Sequence, residues 1–63
     1  MLGYGAKLKE LRGERSQEFV ANDLGISVSA LGMYETEQRV PRDEIKIKLA
    51  NYYQSTVQAI FFS

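Results

Sequence analysis

The sequence predicts an all-α fold, a compact bundle of five helices with no strands, and two features carry this prediction. Apolar residues recur three and four positions apart, as at Tyr4, Leu8 and Leu11, which places them on one face of a helix. Residues suited to helix ends separate these runs, with Ser16 at a helix start and Gly25 at a helix end. The spacing of the apolar residues and the helix-end residues therefore indicate the same fold class.

The first helix contains Tyr4, Leu8 and Leu11 and is expected to end near Gly13. Gly3 and Gly5 make a weak start, because glycine loses more conformational freedom on entering a helix than any other residue. This segment supplies one amphipathic helix to the bundle.

Residues 16–36 contain two short helices joined by a tight turn. Ser16 can cap the first of them by accepting hydrogen bonds from backbone N–H groups that have no helical partner. Gly25 can end it in the left-handed conformation, and Ser27 can cap the second helix after the apolar Ile26. The predicted inward-facing residues are Val20, Ala21, Leu24, Leu31 and Tyr34. This order of caps, helices and turn is that of a helix-turn-helix motif.

The remaining chain predicts two further helices. Pro41 stops any preceding helix, and the fourth helix begins at Arg42 or Asp43. The negative charges of Asp43 and Glu44 are stabilising there, because the N-terminus is the positive end of the helix dipole. Its apolar face and that of a short last helix, capped by Thr56, contain Ile45, Leu49, Tyr52, Tyr53, Val57, Ile60 and Phe61. A chain of 63 residues makes one domain at most, and we assign residues 1–63 to it.

The run S-Q-x-x-V-A-x-x-L-G-I-S-x-S-A-L-x-x-Y-E, followed by R-V-P, resembles the Xre/Cro-like helix-turn-helix transcriptional regulators, which include many phage and mobile-element repressors. The resemblance covers nearly the whole chain and implies a DNA-binding domain of the lambda-repressor type. It also implies a phosphate contact by Gln17 and an ion pair between Arg12 and Glu35. The connection at residues 13–15 is shorter than is usual in the family, which places the last turn of the first helix in question.

A second departure from the family lies after the third helix, where Glu37 stands in place of a frequent glycine. A glutamate in the left-handed conformation costs about 1 kcal/mol. We therefore expect this turn to differ from the usual one.

The third helix is the expected recognition helix, the one that enters the DNA major groove. With about 100° between successive residues, Val28, Ser29, Gly32 and Met33 lie on the side away from Leu31 and Tyr34. These four are the predicted base-contacting residues. Val28, Met33 and the neighbouring Ala30 can touch thymine methyl groups, Ser29 can bond a base edge, and Gly32 lets the backbone come close. A solvent-exposed face with no partner is a poorer interpretation, because Val and Met beside a helix-weakening Gly are unusual there.

The composition excludes several kinds of chemistry. The chain has no cysteine and no histidine, so disulfides, thiolate metal sites and the commonest general base are absent. We expect no enzyme activity, metal or cofactor. No segment of the sequence suggests a membrane span or a signal peptide, and we expect a cytoplasmic protein.

The charge is balanced, with eight basic and eight acidic residues, whereas proteins that bind nucleic acid often have a basic excess. Arg39 and Arg42, in the polar loop after the third helix, are the predicted phosphate contacts together with Gln17. With so few cations in position, we expect modest non-specific affinity for DNA.

Two functions remain open at this point. The first is a sequence-specific regulator of double-stranded DNA, most simply a repressor that binds a palindromic operator as a homodimer. The second is a protein-interaction module, such as an antitoxin-like or anti-repressor partner, which the neutral charge and apolar helix face favour. For the dimer interface we predict Ile60, Phe61 and Phe62, because a short helix cannot bury all of its apolar residues in its own domain. The alternative is that Phe62 lies over Tyr52 or Tyr53 of the same chain.

Overall fold

The computed structural model describes residues 3–62. Its α-helices are α1 Tyr4–Arg12, α2 Gln17–Leu24, α3 Val28–Glu35, α4 Asp43–Tyr52 and α5 Val57–Phe61. No β-strand occurs within the described residues. The prediction of an all-α fold with five helices is confirmed, and α4 begins at Asp43 rather than at Arg42.

Side-chain caps begin three of the helices. The hydroxyl groups of Ser16, Ser27 and Thr56 each accept a backbone N–H from the residue three positions on, at 3.0 Å. Each cap replaces water as the partner of a helix-start N–H, and its loss typically costs about 1 kcal/mol. The predicted caps at Ser16, Ser27 and Thr56 are confirmed.

The turn between α2 and α3 is built around Gly25, whose φ of 73° and ψ of 30° lie in the left-handed region. Glycine reaches this region without a Cβ clash. The next N–H, that of Ile26, donates to the carbonyl of Ala21 at 3.0 Å. The turn therefore satisfies a carbonyl that the end of α2 leaves unpaired, and it sets the angle between α2 and α3.

The core lies where α1, α2, α3 and α4 meet. Four side chains from these four helices have no exposed area, Leu8, Val20, Leu31 and Leu49. Removing each from water stabilises the fold by about 1.5–3 kcal/mol. Because α3 packs against both α1 and α2, its buried side fixes which residues it presents to solvent.

The start of α1 approaches the end of α3 at Gly5. A Cβ on Gly5 would overlap the backbone carbonyl of Glu35, so glycine is required there by the close contact. Beyond α3, Glu37 has a φ of 61°, and its carboxylate accepts the N–H of Gly5 at 3.1 Å. Glu37 thus adopts the left-handed conformation despite the cost of about 1 kcal/mol that led us to expect a different turn. Capping α1, whose own N-cap Gly3 has no side chain, offsets the backbone cost.

Arg15 stabilises the short connection between α1 and α2. Its guanidinium donates to the carbonyls of Arg12 at 3.1 Å and Leu11 at 2.9 Å, which are acceptors left over at the helix end. The same group lies 5.3 and 5.4 Å from the ring centroids of Tyr52 and Tyr53. These contacts join the end of α1 to α4, and α1 stays helical through Arg12 despite the short connection.

Candidate nucleic-acid interface

The solvent side of α3 carries the four residues predicted to contact bases. Val28 is 41% exposed, Ser29 is also exposed, and Gly32 and Met33 are half-buried. Leu31, Tyr34 and Glu35 on the other side are buried. We refer to Val28, Ser29, Gly32 and Met33 as the α3 face. They form an almost uncharged surface in which the Ser29 hydroxyl is the only side-chain hydrogen-bonding group.

Behind this face, the side chains of three helices meet at the Glu35 carboxylate. Arg12 donates to both carboxylate oxygens, from Nε at 2.7 Å and from a terminal nitrogen at 3.0 Å. The Glu35 side chain has no exposed area, and that of Arg12 is 19% exposed. The hydrogen bond to Glu35 raises the pKa of Arg12, which stays charged. The structure thus has the ion pair that the resemblance implied, in two-point geometry.

Gln17 has a partner that the sequence did not indicate. Its side-chain Nε2 donates to Glu35 Oε1 at 2.9 Å. A Cβ placed on Gly32 would lie 3.9 Å from that nitrogen, in ordinary contact. The amide of Gln17 therefore sits beside the α3 face, between the start of α2 and the middle of α3.

Most cationic side chains are engaged within the molecule. Five of the eight bond to backbone carbonyls, carboxylates or aromatic rings: Lys7, Arg12, Arg15, Lys46 and Lys48. The side chains of Lys9, Arg39 and Arg42 are exposed and have no ion pair among residues 3–62. Arg39 and Arg42 lie in the connection between α3 and α4. Because their side chains are exposed and without an ion pair, these two predicted phosphate contacts can meet an external anion.

Two tyrosines at the end of α4, Tyr52 and Tyr53, pack near these side chains and connect α4 to α2. Tyr52 donates its hydroxyl to Asp23 on α2 at 2.7 Å, and its ring packs edge-on against Tyr53. The Tyr53 hydroxyl is buried and has no hydrogen-bond partner among the described residues. Burial, reinforced by the charge of Glu35, raises the pKa of Tyr53 to about 12.

The end of α5 separates the three residues predicted for a dimer interface. Ile60 is 3% exposed and belongs to the core, so it is used within the domain. The ring of Phe61 packs on Tyr4, with 5.4 Å between centroids. Phe62 is 61% exposed, and the Lys46 amine lies 5.2 Å from its ring centroid. Phe62 thus points outward beside Lys46. Within residues 3–62 it makes no ring contact with Tyr52 or Tyr53, which pack edge-on against each other.

The described residues offer little to other kinds of chemistry. Residues 3–62 contain no group of three or more acidic side chains placed to hold a metal ion, and no pocket is present among them. No helix in this range has the length and apolar character needed to cross a membrane.

A capped helix with an exposed face, set on a second helix by a glycine turn, defines the class of helix-turn-helix DNA-binding proteins. A family model described as helix-turn-helix matches residues 8–60, and the chain belongs to this family, the Xre/Cro-like helix-turn-helix proteins. No curated protein matches the sequence. The family is one of DNA-binding regulatory domains rather than enzymes, and the protein is a DNA-binding helix-turn-helix regulator.

Proposed function

We propose that the protein is a sequence-specific repressor that binds a palindromic operator in double-stranded DNA as a homodimer, in the cytoplasm where that DNA lies. The observation that carries the proposal is the exposed, almost uncharged α3 face on a helix whose other side is fixed by the core. An α-helix with its side chains is about 10–12 Å across, comparable with the width of the major groove, so α3 can lie in it. A bound repressor of this size acts by covering a promoter.

The chemistry of the α3 face favours operators with thymine at the contacted positions. Val28 and Met33 lack donors and acceptors suited to base edges, but their apolar surfaces complement the thymine methyl group. Gly32 lets the helix backbone come close to the bases, and Ser29 supplies one hydrogen bond that does not by itself distinguish bases. Discrimination therefore comes mainly from shape and methyl contacts.

Phosphate contacts in this proposal come from Gln17, Arg39 and Arg42. Only the two arginines carry charge, so each protomer releases few counterions on binding. The expected dependence of log K on log salt is about −1.8 per protomer, from two neutralised phosphates. Such a protein binds unrelated DNA weakly and depends on a good operator.

A dimer would present two copies of α3 to half-sites about one DNA turn apart. We propose that protomers meet through Phe61 and Phe62, with Tyr4 and Lys46 beside them, because Phe62 is among the most exposed apolar side chains. Ile60 no longer contributes, since it is in the core.

Analytical ultracentrifugation of the wild type, Phe62→Ser and the control Ile47→Ser tests this interface. We expect a dimer that Phe62→Ser dissociates and Ile47→Ser leaves intact. A wild type that stays monomeric at high micromolar concentration would rule the interface out. A dimer disrupted only by Ile47→Ser would mean that the interface lies on α4 instead, where Ile47 is 54% exposed.

The second candidate is a protein-interaction module that uses the same helices on another protein. The zero net charge and the apolar α3 face favour it. In that case the α3 face would bury against a protein groove, and duplex DNA would not compete for it.

Selection of binding sites from random duplex DNA tests the main proposal. We expect an enriched, two-fold symmetric sequence. Ser29→Ala should weaken its binding more than binding to unrelated DNA, and Gly32→Glu should abolish it by repulsion while the helical signal remains. Gln58→Ala, an exposed change on α5, is the control. Unchanged operator affinity in both α3 variants would refute the assignment of the α3 face.

A further inference from the structure

The bond between Gln17 and Glu35 fixes the orientation of the Gln17 amide. An ionised carboxylate only accepts hydrogen bonds, so the amide must turn its NH₂ group, rather than its carbonyl oxygen, towards Glu35. The 2.9 Å separation of Gln17 Nε2 and Glu35 Oε1 fits this assignment. An NH₂ group has two hydrogens, so the second N–H stays available for another acceptor.

The acceptor that anchors the amide is itself buried and held by a second donor. The Glu35 side chain has no exposed area, and Arg12 holds both of its oxygens. Arg12 also neutralises Glu35, so a phosphate approaching Gln17 meets a neutral pair rather than an uncompensated buried anion. We call Arg12, Glu35 and Gln17 the amide anchor.

The anchored amide is placed at the edge of the DNA-facing surface. Gln17 is the first residue of α2, where backbone N–H groups and the helix dipole favour an anion. Its Nε2 lies beside Gly32 in the middle of the α3 face. A side chain at residue 32 pointing across this gap would compete with the amide for the same space.

From these contacts we propose that Glu35 is a positioning residue for DNA binding, which holds the Gln17 amide ready to donate its second N–H to a backbone phosphate. This rests on the proposed DNA-binding function and deepens it, because the ion pair then sets DNA affinity as well as helix orientation. A glutamine that is ordered before binding avoids the entropy loss of immobilising a free side chain. The gain is roughly two- to tenfold in affinity per protomer.

A double-mutant cycle on DNA affinity tests the coupling. Gln17→Ala is made in the wild type and in R12M/E35L, where apolar residues of similar volume replace the buried pair and generally preserve the fold. We expect Gln17→Ala to weaken binding in the wild type and to have much less effect in R12M/E35L. Gln58→Ala should have no effect in either background. Equal losses from Gln17→Ala in both backgrounds would overturn the proposal.

The same affinities, measured on the selected operator and on an unrelated duplex, test the acceptor. A phosphate contact predicts that Gln17→Ala weakens binding to both by a similar factor. A loss confined to the operator would mean that Gln17 contacts a base, which would overturn the phosphate assignment.

A measurement on the free wild-type protein needs neither DNA nor a variant. The side-chain NH₂ of Gln17 should give an ¹⁵N order parameter close to that of rigid backbone, about 0.85, whereas Gln58 should be below about 0.6. Equal mobility of the two amides would overturn the anchor even if the protein binds DNA. Absence of any duplex binding, with a rigid Gln17, would instead count against the proposed function alone.

Discussion

Replacing Gly32 by alanine should stabilise the folded protein while weakening its binding to a selected operator. A Cβ at residue 32 would meet only Gln17 Nε2, at 3.9 Å, which is ordinary van der Waals contact. Alanine in a helix interior is favoured over glycine by as much as about 1 kcal/mol. In a domain of this size that difference raises the melting temperature by about 4–8 °C.

The opposite effect on binding follows from the place of Gly32 on the α3 face. The added methyl group would hold the helix backbone away from the base edges that Gly32 allows it to approach. Thermal unfolding followed by circular dichroism, and operator titration at fixed salt, measure the two effects on the same protein. Gly5→Ala is the matched control, since its Cβ would overlap the Glu35 carbonyl and should lower the melting temperature.

Two results would contradict this reasoning about Gly32. A lower melting temperature for Gly32→Ala would mean that the space beside Gln17 is not open. A higher melting temperature with unchanged operator affinity would mean that Gly32 lies away from the closest approach to DNA.

The remaining predictions concern the buried pair and the buried tyrosine. Arg12→Ala should cost about 3 kcal/mol or more in unfolding free energy, because it leaves the buried Glu35 carboxylate without its cationic partner. Glu35→Ala should cost less, since Arg12 keeps its bond to the Arg15 carbonyl. Urea denaturation of the two single variants and of the double variant gives the coupling energy of the pair. A coupling energy of zero would mean that the two side chains act independently. The raised pKa of Tyr53, about 12 in the folded state against 10 unfolded, contributes stability that is complete below pH 10 and is lost as the pH rises towards 12. Tyr53→Phe should therefore reduce the loss of stability at alkaline pH. By removing a buried hydroxyl without a partner among the described residues, it should also add about 1 kcal/mol to the unfolding free energy at neutral pH. If urea titrations show the same alkaline loss of stability in this variant as in the wild type, the Tyr53 hydroxyl is not buried.

The helices could be predicted from the sequence because their determinants are local. The caps at Ser16, Ser27 and Thr56 act on N–H groups within three residues. The left-handed Gly25 ends the helix to which it belongs. The spacing of apolar residues also predicts which side of α3 is buried. The α3 face then follows, because it is the opposite side of the same helix.

What the sequence missed depends on contacts between distant residues. Glu37 bonds the N–H of Gly5 across 32 positions, and Gln17 bonds Glu35 across 18. Neither pairing leaves a periodic signal, and the Arg12–Glu35 pair was expected only through the family resemblance. The Gly3 and Gly5 pair, which looked like a weak helix start, was the one local sign of a close approach.

The ends of elements were ambiguous for a related reason. Ile60, Phe61 and Phe62 are similarly apolar, and periodicity alone did not show which of them the domain buries. The packing of α5 on α1 and α4 places Ile60 inside and Phe62 outside. This packing is a tertiary effect that a five-residue helix is too short to reveal in its sequence.

If the α3 face recognises a specific DNA sequence with little help from charge, a salt titration of binding will show it. Affinity for the selected operator and for an unrelated duplex is measured over a range of salt concentrations. We expect a clear preference for the operator at every salt concentration and a shallow slope of log K against log salt, about −3.6 for a dimer with two neutralised phosphates per protomer. Equal affinity for the two duplexes, or no binding to either, would contradict this expectation.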